Sequence, residues 1–74
     1  MTLTQAQQIS LAYLQKENLK NFTLTSFDLS PEYSNYIAQN FLGDVDYLDD
    51  DGSDVSSVFN LIVFNDGSIK FKWL

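Results

Sequence analysis

The densest group of reactive side chains in the sequence is a run of aspartates between residues 44 and 54. Six carboxylates fall within this stretch, together with Gly52 and Ser53: Asp44, Asp46, Asp49, Asp50, Asp51 and Asp54. Carboxylate oxygens are ligands that calcium prefers in proteins. Cation binding, of calcium in particular, through the loop from Asp44 to Asp54 is therefore one functional hypothesis.

The spacing of the aspartates departs from that of an EF-hand loop. Counted from Asp49, oxygen donors stand at positions one, three and five, but Gly52 stands at position four rather than six. Position twelve is Asn60 rather than glutamate. The run is more typical of a solvated acidic loop, so we assign no metal ligands, and an electrostatic docking patch for a partner is a further use for it.

The chain contains no histidine, cysteine or arginine, and therefore lacks the side chains that most catalytic mechanisms require. Thiolate nucleophiles, histidine bases and His or Cys metal sites are excluded. Ser68 beside Lys70, or a pair of carboxylates, offers acid and base groups, but Ser68 falls in a predicted turn and a chain of 74 residues has little room for a substrate cleft. We expect no enzymatic activity and no cofactor.

Charge excludes further classes of partner. The net charge is −6, and the four lysines lie near the two ends of the chain. Such a surface repels nucleic-acid phosphates and anionic lipid, so we expect neither direct nucleic-acid binding nor membrane binding. A carboxylate decoy that imitates nucleic acid and occupies a basic site on another protein remains an alternative. With no signal peptide and no apolar stretch of about 20 residues, the expected location is cytoplasmic.

The elements that must position these groups begin with a predicted helix from Thr4 to Lys20, for which Thr4 and Gln7 fit a capping box. Alternating apolar residues predict a strand from Phe22 to Leu29, and a slip in that alternation at Thr25 and Ser26 indicates a bulge or a strand covered on both faces. Ser30, Pro31 and Glu32 then form a helix-start signal. Tyr33, Tyr36, Ile37 and Phe41 follow at helical spacing, so a second helix is predicted from Pro31 to Leu42.

A C-terminal hairpin is predicted from two strands, Val55 to Asn65 and Ser68 to Leu74, joined by Asp66 and Gly67. A short edge strand at Val45 to Leu48 is a further possibility. A two-residue turn pairs Ile62 with Phe71 on the expected core face and Leu61 with Lys72 on the other face. The second face is predicted to be partly exposed and to bind a partner or a second copy, through Phe59, Leu61, Val63, Lys70 and Lys72.

These patterns together predict one small α+β domain spanning residues 1 to 74. The expected architecture is a two-layer sandwich with element order α-β-α-β-β, in which both helices cover one face of a three- or four-stranded sheet. The leading functional hypothesis is a non-catalytic protein-protein interaction module, such as a small regulator or inhibitor. Its expected partner is another protein or a second copy of the chain.

Overall fold

A single helix followed by a four-stranded antiparallel sheet makes up the computed structural model, which describes residues 1 to 74. The elements are α1 (Leu3–Lys16), β1 (Lys20–Leu29), β2 (Ala38–Leu48), β3 (Asp54–Phe64) and β4 (Ile69–Trp73). The strands lie in the order β1-β2-β3-β4, so that each pairs with its neighbours in sequence. The α+β class and the small sheet are confirmed, whereas the two helices and the order α-β-α-β-β are wrong.

The N-cap of helix α1 lies two residues before the predicted one. Thr2 is the N-cap: its hydroxyl accepts a hydrogen bond from Gln5 N–H, and Gln5 Oε1 accepts one from Thr2 N–H. The sequence holds two overlapping capping boxes, and the earlier one is used. The helix ends at Lys16, and Asn18 follows with φ of 58°. At 14 residues, α1 is too short and too polar to cross a bilayer.

The predicted second helix from Pro31 to Leu42 is wrong. The Ser30 signal yields one turn, closed by a hydrogen bond from Ser34 N–H to the Ser30 carbonyl. The side chain of Asn35 then accepts the N–H groups of Ile37 and Ala38 and ends that turn. Ala38–Leu48 forms β2, a central strand with a partner on each side, so ladder hydrogen bonds replace helical ones. The possible edge strand at Val45 to Leu48 is the second half of this central strand.

The break in the apolar alternation of β1 at Thr25 and Ser26 is a β-bulge, which is one of the two explanations that the sequence predicts. Leu24 pairs with Val45 and Ser26 pairs with Asp44, so Thr25 is an extra residue opposite β2. This insertion turns the following residues over. It allows Leu24 and Phe27, three residues apart, to face the same core.

The turn between β3 and β4 contains three residues rather than two. Phe64 N–H donates to the Ser68 carbonyl and Gly67 N–H donates to the Phe64 carbonyl, while Gly67 has φ of 91°. This is the three-residue hairpin loop in which a left-handed glycine completes the turn. Phe71 consequently pairs with Leu61 and Lys72 with Asn60, one residue away from the predicted pairing.

The core lies between α1 and one face of the sheet. Buried positions on α1 recur every four residues, at Ala6, Ser10 and Leu14, and the two small ones allow close approach to the strands. Phe41, Val45, Phe59 and Leu61 are the largest apolar side chains buried beneath the helix besides Leu14. Four phenylalanines form a connected aromatic group in this layer, with neighbouring ring centroids 5.0–6.1 Å apart: Phe27, Phe41, Phe59 and Phe71.

Candidate functional site

The side of the sheet opposite α1, here called the open face, is covered by no helix or strand, and only the loop around Tyr33 packs against its middle. Successive residues of a strand point to opposite sides, so the register fixes which residues face outward. They include charged, hydroxyl, amide and apolar side chains: Ser26, Asp28, Asn40, Leu42, Asp44, Asp46, Ser56, Val58, Asn60, Ile62, Lys70 and Lys72.

One end of the open face carries two aspartates held by hydroxyl groups. Ser26 Oγ donates to Asp44 Oδ2 at 2.7 Å, and Ser56 Oγ donates to Asp46 Oδ1 at 2.6 Å. Both aspartates are exposed on β2. The neighbouring strands therefore orient two carboxylates that point away from the core.

The middle of the open face is built around a pair of asparagines. Asn60 Nδ2 donates to Asn40 Oδ1 at 3.1 Å, and Asn40 Nδ2 donates to the Tyr33 carbonyl at 2.9 Å. Both side chains are at least nine-tenths buried, and Asn60 Oδ1 has no hydrogen-bond partner. The pair ties the loop after β1 to the centre of the sheet.

Two shallow depressions flank these groups and meet at Leu74. The first, of about 680 Å³, lies between the two aspartates and an apolar wall made by Val58 and Leu74. The second, of about 410 Å³, is lined by Leu42, Ile62 and Lys72 around the asparagine pair. Val58 is 38% exposed and Leu74 66%. The open face thus presents apolar side chains between acidic and basic ones.

The row predicted to bind a partner lies in the core instead. Phe59 and Leu61 are fully buried and Val63 is 8% exposed, all beneath α1, so the expected exposure of this row is wrong. The cause is the three-residue turn, which shifts the pairing by one residue: Ile69 and Phe71 stay on the core side as predicted, but they share it with Leu61 and Val63 instead of Ile62 and Phe64. Lys70 and Lys72 are exposed as expected, but they accompany Asn60 and Ile62 on the open face.

The predicted acidic loop from Asp44 to Asp54 is divided between three elements. Asp44 and Asp46 belong to β2, Asp54 begins β3, and only Asp49, Asp50 and Asp51 lie in the connection. No three acidic side chains come together in a way that would hold a metal ion.

Within that connection, carboxylates bond to their own backbone. Asp49 Oδ1 accepts the N–H groups of Asp51 and Ser53, and Asp51 Oδ1 also accepts the Ser53 N–H. A side-chain hydrogen bond with Asp49, followed by hydrogen bonds with Ser53, lowers the pKa of Asp51 below its ordinary value. These bonds are those of a turn built by short acidic side chains.

Sequence reasoning missed the apolar residues of the open face, chiefly Leu42, Val58 and Ile62. The sequence patterns predict Leu42 in a helix and Ile62 in the core. A signal for β2 was nevertheless present, because Phe41, Gly43, Val45 and Tyr47 recur at the two-residue spacing of a strand. That period predicts Leu42, Asp44 and Asp46 on the opposite face.

Comparison of the chain with protein-family models, with curated proteins and with solved structures finds no match.

Proposed function

We propose that this chain is a non-catalytic protein-interaction module that binds a partner protein through the open face. The observation that carries the proposal is the apolar strip of Leu42, Val58, Ile62 and Leu74, which lies on the side of the sheet that α1 leaves uncovered. An apolar strip bordered by charged groups is typical of a protein-binding surface.

Other uses of the open face have less support. Its depressions are shallow, and the chain lacks histidine and cysteine, which argues against catalysis there. Lys70 and Lys72 share the face with Asp44 and Asp46, so the carboxylates do not form the continuous array that a nucleic-acid decoy needs.

The test compares two lysine substitutions on opposite surfaces. Val58→Lys places a cation in the apolar strip, opposite Asp44 on the neighbouring strand, where the fold tolerates it. Ala12→Lys adds the same charge on the exposed surface of α1. Wild type and both variants are immobilised, and the proteins that each retains from a native lysate are quantified by mass spectrometry.

Proteins retained by wild type and by Ala12→Lys, but lost from Val58→Lys, are the expected result. Each such protein is then purified, and its affinity should fall roughly tenfold or more for Val58→Lys alone. If every retained protein ignores the substitution in the open face, or if none is retained and the chain does not associate with itself either, the proposed function is wrong.

A further inference from the structure

One row of the open face has opposite charges at its two ends. The strand register aligns Asp28 of β1 with Leu42 of β2, Leu42 with Asn60 of β3, and Asn60 with Lys72 of β4. Asp28 and Lys72 are both exposed. Three strand spacings, about 14 Å, separate them, so they are too far apart to pair within one molecule.

This row is complementary to itself under one symmetry operation. A two-fold axis that runs parallel to the strands, midway between β2 and β3, places β1 of one molecule over β4 of a second copy. Asp28 then faces Lys72 of the second copy, and Lys72 faces its Asp28. The same operation brings Leu42 of each copy over the central Asn60 of the other, as in the aligned packing of two sheets.

From this charge complementarity we infer that the partner is a second copy of the chain. The inference rests on the proposed protein-binding role of the open face. The result is a symmetric dimer in which the two open faces stack. One Asp28–Lys72 pair lies at each edge of the interface, between β1 of one copy and β4 of the other.

The size of the open face is sufficient for a weak dimer. Strand β3 has 11 residues and the sheet has four strands. Strand spacing and rise give a face on the order of 600 Å² per copy, or on the order of 1,200 Å² in total, which is the lower end of specific interfaces. The same operation places Val58 over Asp44 and Ile62 over Asn40 of the second copy. These apolar–polar contacts and the burial of Asp44 oppose the stacking, and we expect a Kd on the order of 10–100 μM.

Net charge does not prevent this association at physiological salt. Each copy carries a net charge of −6, but exposed charges further apart than about 8 Å are largely screened at 0.15 M ionic strength. The Asp28–Lys72 pairs act at contact distance and are screened less.

The test uses two charge reversals, Asp28→Lys and Lys72→Asp, studied separately and mixed. Each variant alone places like charges at both ends of the row, so its self-association should weaken by roughly tenfold or more relative to wild type. In an equimolar mixture every facing pair is again opposite in charge. A heterodimer of near wild-type affinity should then form, although neither variant dimerises by itself.

Sedimentation equilibrium from about 5 μM to 1 mM at 0.15 M salt measures these associations, and circular dichroism checks that each variant is folded. The matched control is the pair Lys16→Asp and Glu17→Lys at the end of α1, which changes net charge by the same amounts on the other side of the molecule. Each control variant should dimerise like wild type, and mixing the two should add nothing.

Wild type that stays monomeric at 1 mM, or an Asp28→Lys and Lys72→Asp mixture that fails to associate, overturns the inference. The proposed function is judged separately. A monomeric wild type that still retains a protein through Val58 shows that the open face binds a different partner, whereas loss of both results removes the interaction role itself.

Discussion

At the scale of single residues, Gly43 is where packing leaves the least room. A Cβ atom there would lie 2.3 Å from Phe59 Cζ and 3.1 Å from Phe27 Cδ1. Both aromatic rings belong to strands that pair with Gly43, one on each side. The missing side chain is what allows the two rings to meet across β2.

Gly43→Ala should therefore destabilise the fold by about 1–3 kcal/mol through overpacking. Gly52→Ala is the matched control, because Gly52 has open space around it but φ of 87°. Its cost should be about 1 kcal/mol, from backbone strain alone. Urea denaturation of both variants measures the difference, and a smaller loss for Gly43→Ala than for Gly52→Ala would contradict the packing argument.

Asp66 provides a second residue-scale prediction. Hydrogen bonds from the Ser68 hydroxyl at 2.6 Å and the Ser68 N–H at 2.9 Å lower the pKa of Asp66 below its ordinary value. A carboxyl whose pKa is lowered by folding stabilises the native state above its unfolded pKa, and this stabilisation is lost as pH falls through the folded pKa. Ser68→Ala removes the hydroxyl hydrogen bond, which is the larger of the two causes, so the pKa of Asp66 should rise toward the ordinary value.

Carboxyl-carbon NMR titration of wild type and Ser68→Ala measures that shift. Asp51 is an internal reference, because its lowered pKa depends on Asp49 and Ser53 rather than on Ser68. An unchanged Asp66 titration in the variant would show that the hydroxyl does not control it.

At the scale of elements, the decisive feature is the length of the turn between β3 and β4. The dipeptide Asp66-Gly67 predicts a hairpin, and the hairpin is present. Asp-Gly sequences occur both in two-residue loops and in longer loops closed by a left-handed glycine. The choice between them decides which side of β3 becomes core, because side-chain direction has a period of two residues.

Substitutions at two adjacent residues of β3 test which side of this strand is buried beneath α1. Leu61→Lys places an ammonium group in the fully buried layer beneath α1, which should cost several kcal/mol and unfold so small a domain. Ile62→Lys adds the same group to the half-buried open face, where the lysine stem can reach solvent, and should leave the chain folded. Circular dichroism distinguishes the two results, and the opposite order of stability would restore the predicted two-residue turn.

The region from Ser30 to Leu48 shows how an element can be misread. Its first residues carry genuine helix-start chemistry, and they do form one turn. Two spacings then overlap: Tyr33, Ile37 and Phe41 at helical intervals, and Phe41, Gly43 and Val45 at strand intervals. The strand prevails because β2 pairs along its length with β3 and lies between two strands, a gain that local propensity does not record.

At the scale of the whole molecule, the distribution of carboxylates leads to a prediction about cations. Acidic side chains are spread over strands and turns with no three converging, so calcium should act only by general screening. Raising calcium to a few millimolar should shift the melting temperature no more than sodium chloride of equal ionic strength does. Differential scanning fluorimetry tests this, and a calcium-specific rise of more than about 5 °C would revive the cation-binding hypothesis.

Composition and local patterns were sufficient for several features of this protein. The α+β class, the N-terminal helix and the C-terminal hairpin were predicted, and a bulge was one of two explanations for the phase slip in β1, because capping boxes, apolar periods and turn dipeptides act within a few residues of one another. The exclusion of histidine and cysteine chemistry likewise follows from composition alone.

Only the tertiary structure decided which sheet face α1 covers, and with it the surface left for a partner. Phe59 and Leu61 on one side of β3 and Ile62 and Phe64 on the other are equally apolar in sequence, so local pattern does not choose between the two faces. The choice depends on the three-residue turn, on the bulge at Thr25 and on Gly43, which let residues from three strands meet beneath Ala6, Ser10 and Leu14. These features depend on pairing between residues that are far apart in sequence. The identity of the exposed face therefore follows only from the arrangement of all four strands.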